Sequence, residues 1–331
     1  MATLRTRMFE RKAQDAGASA APYGKPMINL SLGRREWLML LSLAVIWGGA
    51  FLFIGVAVRS VEPVTYVWLR MSIAAVALWA WLWASGRRPS IPRGALGALL
   101  LLTLLNNVVP FMLFGWGQTH IASGLASILN ATTPLWGVIV AHFATRDEPL
   151  TPAKLTGVLI GVGGVAVMIG PQLLADVGTN ALAQLACVAA SFSYALAGVW
   201  ARRFKRMGLS PVNVTAWQLL LGALVMIPLA AIVDQPWNAP PPPLAAIAAI
   251  SALALLCTSF AYILYFKLID SSGATNALLV TLLVPPIAIL LGALFLGEVL
   301  APADFIGLAL IALGLAAIDG RLFKRARAAF A

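Results

Sequence analysis

Arg70 lies inside the apolar run 64–85, about seven residues or roughly 10 Å from where that run begins. An ionised group is costly at that depth in hydrocarbon, so it must face protein or water, and such positions are functional by default. Two roles are open: Arg70 snorkels to hold helix-end carbonyls, or it gates a passage and holds a substrate carboxylate. Other polar groups recur at similar depth: Asn106 and Asn107 before Pro110, Asn130, Thr132 and Thr133 before Pro134, and Asn276 and Thr281 before Pro285 and Pro286. In hydrocarbon these too must turn toward protein or water. Pro134 and Pro285 each remove a backbone donor and strand the carbonyl one turn earlier, which predicts matched bends. Such a bend can hold an ammonium, act as a hinge, or serve packing alone. Trp47, Tyr194 and Tyr262 share faces with small or polar neighbours, where an amphipathic ring can stack and hydrogen-bond. The candidate cavity residues are therefore Trp47, Asn107, Trp116, Asn130, Tyr194, Gln218 and Tyr262. The candidate gating and hinge residues are Arg70, Pro110, Pro134, Pro285 and Pro286. No catalytic, metal or cofactor set accompanies them, because the sequence has no G-x-S-x-G, no H-E-x-x-H and no pair of mid-membrane aspartates.

The elements that carry these residues are membrane spans. Of 331 residues 61% are hydrophobic and 11% charged, against about 25% charged in soluble proteins, which excludes a water-soluble domain. Apolar runs broken by polar or Pro/Gly clusters predict ten helices, at 36–57, 64–85, 94–117, 121–144, 153–170, 180–201, 212–233, 244–267, 273–296 and 303–319. With the N-terminus placed inside, all of the 23 lysines and arginines except Arg59 and Arg70 fall in cytoplasmic segments, so both termini are expected in the cytoplasm. That asymmetry accounts for the net charge of +11 without a nucleic-acid partner. Cys187 and Cys257 fall in apolar runs and behave as small hydrophobes. The basic, Ala/Gly/Ser-rich N-terminal segment reads as a flexible tail with no cleavage expected, and Trp37, Trp79, Trp81 and Trp83 as an interfacial belt.

The chain also resembles itself. At an offset of 150, Glu148 meets Glu298, Pro152 meets Pro302, Gly157 meets Gly307 and Gly164 meets Gly314. At 148, Pro63 meets Pro211 and Arg70 meets Gln218, while Pro134 falls one place from the Pro285-Pro286 pair. Each half holds five predicted helices, an odd number, so the halves insert with opposite topology. The expected organisation is a basic tail over 1–35, a first repeat over 36–170, an external linker over 171–178, a second repeat over 179–319 and a basic tail over 320–331.

In order and spacing these residues resemble the drug/metabolite transporter superfamily, EamA type, and within it the YddG-like bacterial amino-acid exporters. The resemblance covers about residues 37–319. It rests on Trp47-Gly48-Gly49, Arg70, the stretch Ala122-Ser123-Gly124-Leu125-Ala126-Ser127 leading to Pro134, and the two Glu/Pro/Gly strings. It implies an all-α, ten-helix carrier of the bacterial inner membrane, exporting amino acids or similar small metabolites through a central cavity between two inverted repeats. Two departures stand out: Asp147-Glu148-Pro149 where such proteins often carry Gly-Glu, and Gln218 in place of a second Arg70. All 12 acidic residues fall in loops or at helix ends, which points to facilitative export. Proton coupling through Glu148, Glu298 or His120, with drugs or nucleobases as cargo, is the alternative, and an intramembrane enzyme a more distant one. The expected partners are the substrate and membrane lipid, with a homodimer conceivable through the glycine faces of the fifth and tenth helices.

Overall fold

The computed structural model describes residues 33–92, 94–144, 151–175, 178–272, 277 and 279–319. These form ten helices: α1 (Arg34–Ala57), α2 (Pro63–Ala84), α3 (Leu96–Gly117), α4 (Ser123–Ala144), α5 (Pro152–Ala175), α6 (Thr179–Arg206), α7 (Pro211–Ile232), α8 (Leu244–Ser272), α9 (Val280–Leu296) and α10 (Pro302–Asp319). Seven are long and apolar enough to cross a membrane alone; α5, α9 and α10 contribute shorter apolar stretches. Prolines open the paired helices α2 and α7, and likewise α5 and α10, because a first-turn residue has no amide partner to lose. The outer surface is apolar, with Val76 and Phe143 among its most exposed side chains, while Thr103, Asn107, Ser127 and Ser191 are buried. That inside-out polarity is what a lipid solvent selects.

Helix packing repeats under exchange of α1–α5 for α6–α10. The helix α1 packs on α8 and α9, and α6 packs on α3 and α4 in the same way. The contact of α2 with α8 is matched by that of α7 with α3. Pairs α2/α7, α4/α9 and α5/α10 meet across the pseudo-symmetry axis. The chain is thus an all-α bundle of two inverted five-helix repeats.

Glycines set the closest approaches. A methyl group at Gly157 would lie 2.7 Å from Ile318 Cγ1, and one at Gly164 would lie 2.8 Å from the Gly307 carbonyl. The glycine faces of α5 and α10 meet each other within the chain. Gly48 of the Trp47-Gly48-Gly49 motif seats α1 on α9, where a Cβ would come 2.7 Å from Ile287 Cγ2.

Three departures from the expected helices matter. Both α3 and α8 widen into π-helical turns, at Leu104–Val108 and Leu255–Phe260, positions that correspond between the halves. A third π turn, Gly292–Leu296, closes α9. The fourth helix is interrupted at Ala131–Thr132, two residues before Pro134, as a bend requires. Pro285 and Pro286, by contrast, lie inside the continuous helix of α9. Asn276 and Glu148 lie outside the described residues.

Candidate substrate site

At the π turns of α3 and α8 the halves exchange polar contacts. From α2, Arg70 reaches across to α8: its Nε donates to Thr258 Oγ1 at 3.2 Å. Its Nη1 donates to the Tyr66 hydroxyl one turn away at 3.1 Å, and its Cζ lies 3.7 Å from the centre of the Phe111 ring on α3. Arg70 is 6% exposed, and the hydrogen-bond partners recorded for it are neutral. Thr258 can accept because its own hydroxyl proton goes to the Leu253 carbonyl five residues back, at 2.7 Å, a spacing that the π turn provides. Ser259 does the same toward Ala254 at 3.1 Å.

The corresponding contact in the other half runs from α7 to α3. Gln218 Oε1 accepts from Asn106 Nδ2 at 3.0 Å, and the Gln218 carbonyl accepts from Thr103 Oγ1 at 3.4 Å. Next to Asn106, Asn107 is 1% exposed and its Oδ1 has no hydrogen-bond partner. An unpaired buried acceptor is costly, and such an exception marks a place where a ligand or ordered water completes the bond.

The Tyr262 hydroxyl lies within interaction range of Asn106, Asn107 and Arg70, and Tyr194 packs against both large apolar clusters of the bundle. The ring of Tyr194 stacks on Phe114 at 6.2 Å between centroids, and Trp47 tilts against Tyr265 at 5.3 Å. A guanidinium, an unpaired amide oxygen and aromatic rings from five helices thus converge between the repeats. Among the described residues no group of His, Cys, Asp or Glu is arranged to hold a metal.

A sequence model of the EamA-like transporter family matches residues 35–170 and, a second time, residues 181–318. The chain belongs to the EamA-like transporter family. Among its EamA relatives, the uncharacterised transporter YoaV of Bacillus subtilis is 25% identical over 295 residues, spanning 87% of this chain and 96% of the relative. A probable terminal-alkyne amino-acid exporter of Streptantibioticus cattleyicolor is 26% identical over 310 residues, 91% of this chain and 98% of the relative. The S-adenosylmethionine/S-adenosylhomocysteine transporter of Chlamydia trachomatis is 27% identical over 296 residues, 85% and 88% respectively. A solved crystal structure shares the fold with a TM-score of 0.60 at 20% identity, covering 86% of this chain and 96% of the other. The EamA chain is a multi-pass membrane protein.

Not every expected residue of the EamA site joins this cluster. Trp116 stands about 13 Å further along α3 than Asn107, its ring 5.0 Å from that of His120. Asn130 sits at the α4 interruption, where its carbonyl is not free: Thr133 Oγ1 donates to it at 2.8 Å. The neighbouring Leu129 carbonyl likewise accepts Thr132 Oγ1 at 2.6 Å and Ser191 Oγ at 3.0 Å. Hydroxyls have thus closed the stranded carbonyls expected ahead of Pro134. Pro110 lies just past the α3 π turn and is buried. Of the expected belt, Trp79 is instead a tie between halves, its Nε1 donating to the Ala216 carbonyl at 3.0 Å. Tyr66 and Phe111 were not anticipated, and Thr258 and Ser259 only as polar neighbours of Tyr262. Toward the arginine-rich end of the bundle, a cavity of about 400 Å³ opens among Leu105, Val140, Leu196, Trp200, Arg203 and Arg206.

Proposed function

We propose that this EamA transporter exports amino acids or closely related small metabolites by alternating access, with the substrate held between Arg70 and Asn107. The observation that carries the reading is the pairing of a buried guanidinium that has neutral partners with a buried amide oxygen that has none. A zwitterion needs both, a forked donor for its carboxylate and an acceptor for its ammonium. Phe111, Tyr194, Tyr262 and Trp47 supply apolar and aromatic surface for the side chain. The relatives named as a terminal-alkyne amino-acid exporter and as an S-adenosylmethionine carrier both point to cargo with an α-amino-acid group. The inverted repeat suits a central site opened to either side by rocking.

The arginine-rich end faces the cytoplasm of a bacterial inner membrane in this reading, with both termini there. Transport is facilitative, driven by the substrate's own gradient: Asp234, Glu298 and Asp304 each hold backbone amides at helix ends and are not placed at mid-depth. Uptake of labelled amino acids into proteoliposomes, with unlabelled competitors and with Asn107→Ala and Trp47→Ala, tests the assignment. Saturable uptake that both substitutions diminish supports it, and absence of uptake across amino acids moves the cargo to nucleobases or aromatic drugs. Counterflow should persist when the pH gradient is collapsed; proton movement stoichiometric with substrate would contradict the facilitative mechanism.

A further inference from the structure

At the arginine-poor end, two helices of the first repeat begin without a cap of their own. The residue before α4 is Ala122, which has no side-chain acceptor, and the residue before α2, Glu62, makes no capping bond. Helix starts leave several amides unpaired, and a local Ser, Thr, Asp or Asn ordinarily supplies the acceptor. Here the acceptors come from the second repeat. Glu298 Oε1 accepts from Ser123 N–H at 2.8 Å, while Oε2 accepts from Ser123 Oγ at 2.8 Å and from Gly124 N–H at 3.2 Å. Asp234 Oδ2 accepts from Thr65 N–H at 2.6 Å and from Thr65 Oγ1 at 2.8 Å.

The Asp234 contact is one-sided among the described residues. The counterpart of α2 in the second repeat, α7, starts at the opposite end of the bundle and is capped locally, its Asn213 N–H donating to Ser210 Oγ at 3.3 Å. At the 148-residue offset the mate of Asp234 is Gly86, which has no carboxylate to offer. Space for Glu298 is also built in. Its carboxylate lies against Gly292, where a Cβ would collide with it, and Gly297 makes the turn between them with φ of 66°. Beside it, Gln118 is 8% exposed and neither atom of its carboxamide has a hydrogen-bond partner. A methyl group at Gly55 would touch Gln118 Oε1, Leu296 Cδ1 and Ser123 Cβ together, which places that amide at the same contact.

We propose that Glu298 and Asp234 are the outer gate of the carrier, carboxylate latches that cap α4 and α2 while the outer side is closed and release them when it opens. The proposal rests on the alternating-access reading. Because the caps are supplied from the other half, parting the halves uncovers helix-start amides, which water in the opened vestibule then solvates, together with Gln118. Closing reverses this, so closure and helix capping are one event. Among the described residues the inner end has no equivalent of the Asp234 latch, so weakening that contact shifts the carrier toward the outward-open form.

The test reads gate position without substrate, using the full chain in intact cells and a membrane-impermeant thiol reagent. The reporter is Ser127→Cys, one turn beyond Ser123 and 0% exposed; the native Cys187 and Cys257, 0% and 2% exposed, define the background. Labelling of the reporter should accelerate about tenfold with Glu298→Gln and several-fold with Asp234→Asn, the scale expected from weakening charge-assisted bonds. Equal rates with and without these substitutions would overturn the gate and leave Glu298 a static cap. Should Glu298→Gln fail to reach the membrane, Ser123→Ala, which removes one bond and spares the carboxylate, must still accelerate labelling. An exposed Thr119→Cys control separates the two readings. If it is labelled only in inverted vesicles, the assigned orientation is wrong and the latch is read there instead.

Discussion

In one half of the molecule the second helix sends Arg70 across to Thr258 on α8; in the other half the second helix sends Gln218 across to Asn106 on α3. The backbone plan is shared down to the π turn that receives each side chain. The chemistry is not. The Gln218 crossing joins neutral groups that satisfy one another, whereas the Arg70 crossing buries a cation among a hydroxyl, a phenol and an aromatic ring. Duplication kept the scaffold and let the site diverge, so only one of the two crossings can recognise an anionic group. Substitutions that make the halves alike, or that strike equivalent positions in each, test how far this division holds.

The largest effect should come from Arg70→Gln, which makes the two crossings alike. Substrate uptake is expected to fall about hundredfold, the scale of losing charge-assisted bonds to a buried carboxylate. Thermal stability in detergent should stay level or rise, because a buried cation held only by neutral groups is a burden on the fold. Arg70→Lys should recover only part of the activity, since an ammonium lacks the planar fork that both stacks on Phe111 and grips two oxygens. Parallel loss of uptake and stability would mean that Arg70 is structural.

Equivalent glycines should behave the opposite way. Gly157→Val and Gly307→Val, mates at the 150-residue offset, push side chains into the same α5/α10 contact from its two sides. Each is expected to lower stability by about 1–3 kcal/mol, the usual penalty of overpacking, and to do so equally. Thermal midpoints measured side by side check this, and tolerance of one with intolerance of the other would break the symmetry of the scaffold.

Those glycines were legible in the sequence as a repeated string, as were the ten spans, because length, apolar composition and proline at helix starts are local properties. Arg70, Asn107, Tyr194, Gln218 and Tyr262 were legible as polar or aromatic groups that hydrocarbon would not accept. The π turns were not, because shifting a hydrogen bond from four residues to five leaves no mark on composition. Pro285 and Pro286 were read as a hinge from their missing donors; they lie within the continuous helix α9, which packs against α1 and α4. The stranded carbonyls near Pro134 were foreseen, but not that Thr132, Thr133 and Ser191 would close them. Glu298 was visible as a repeated letter and as a candidate for proton coupling, not as a cap; its partner Ser123 lies 175 residues away, beyond any spacing rule.

A smaller change is expected from Gln218→Ala. It removes a neutral hydrogen bond and leaves Asn106 Nδ2 to find water, at a cost of about 1 kcal/mol. Uptake should drop about fivefold, through displacement of the α3 π turn that also carries Asn107. A drop as large as that of Arg70→Gln would mean the two crossings still share one function.

The smallest effect distinguishes two tryptophans that the sequence alone treats as equivalent. Trp47 faces Tyr265, one turn past Tyr262, whereas Trp116 packs on His120 at the end of α3, where Thr119 and His120 are exposed. Trp47→Ala should therefore reduce apparent substrate affinity about threefold by removing an aromatic wall, and Trp116→Ala by less than about 1.5-fold. Both lose a similar area of ring, so a stability effect common to the two would cancel in the comparison and leave the difference to the site. Competition uptake on the two variants in one preparation measures it. Equal losses would extend the substrate path to His120 and place the outer vestibule, as well as the Arg70 cluster, in contact with the transported molecule.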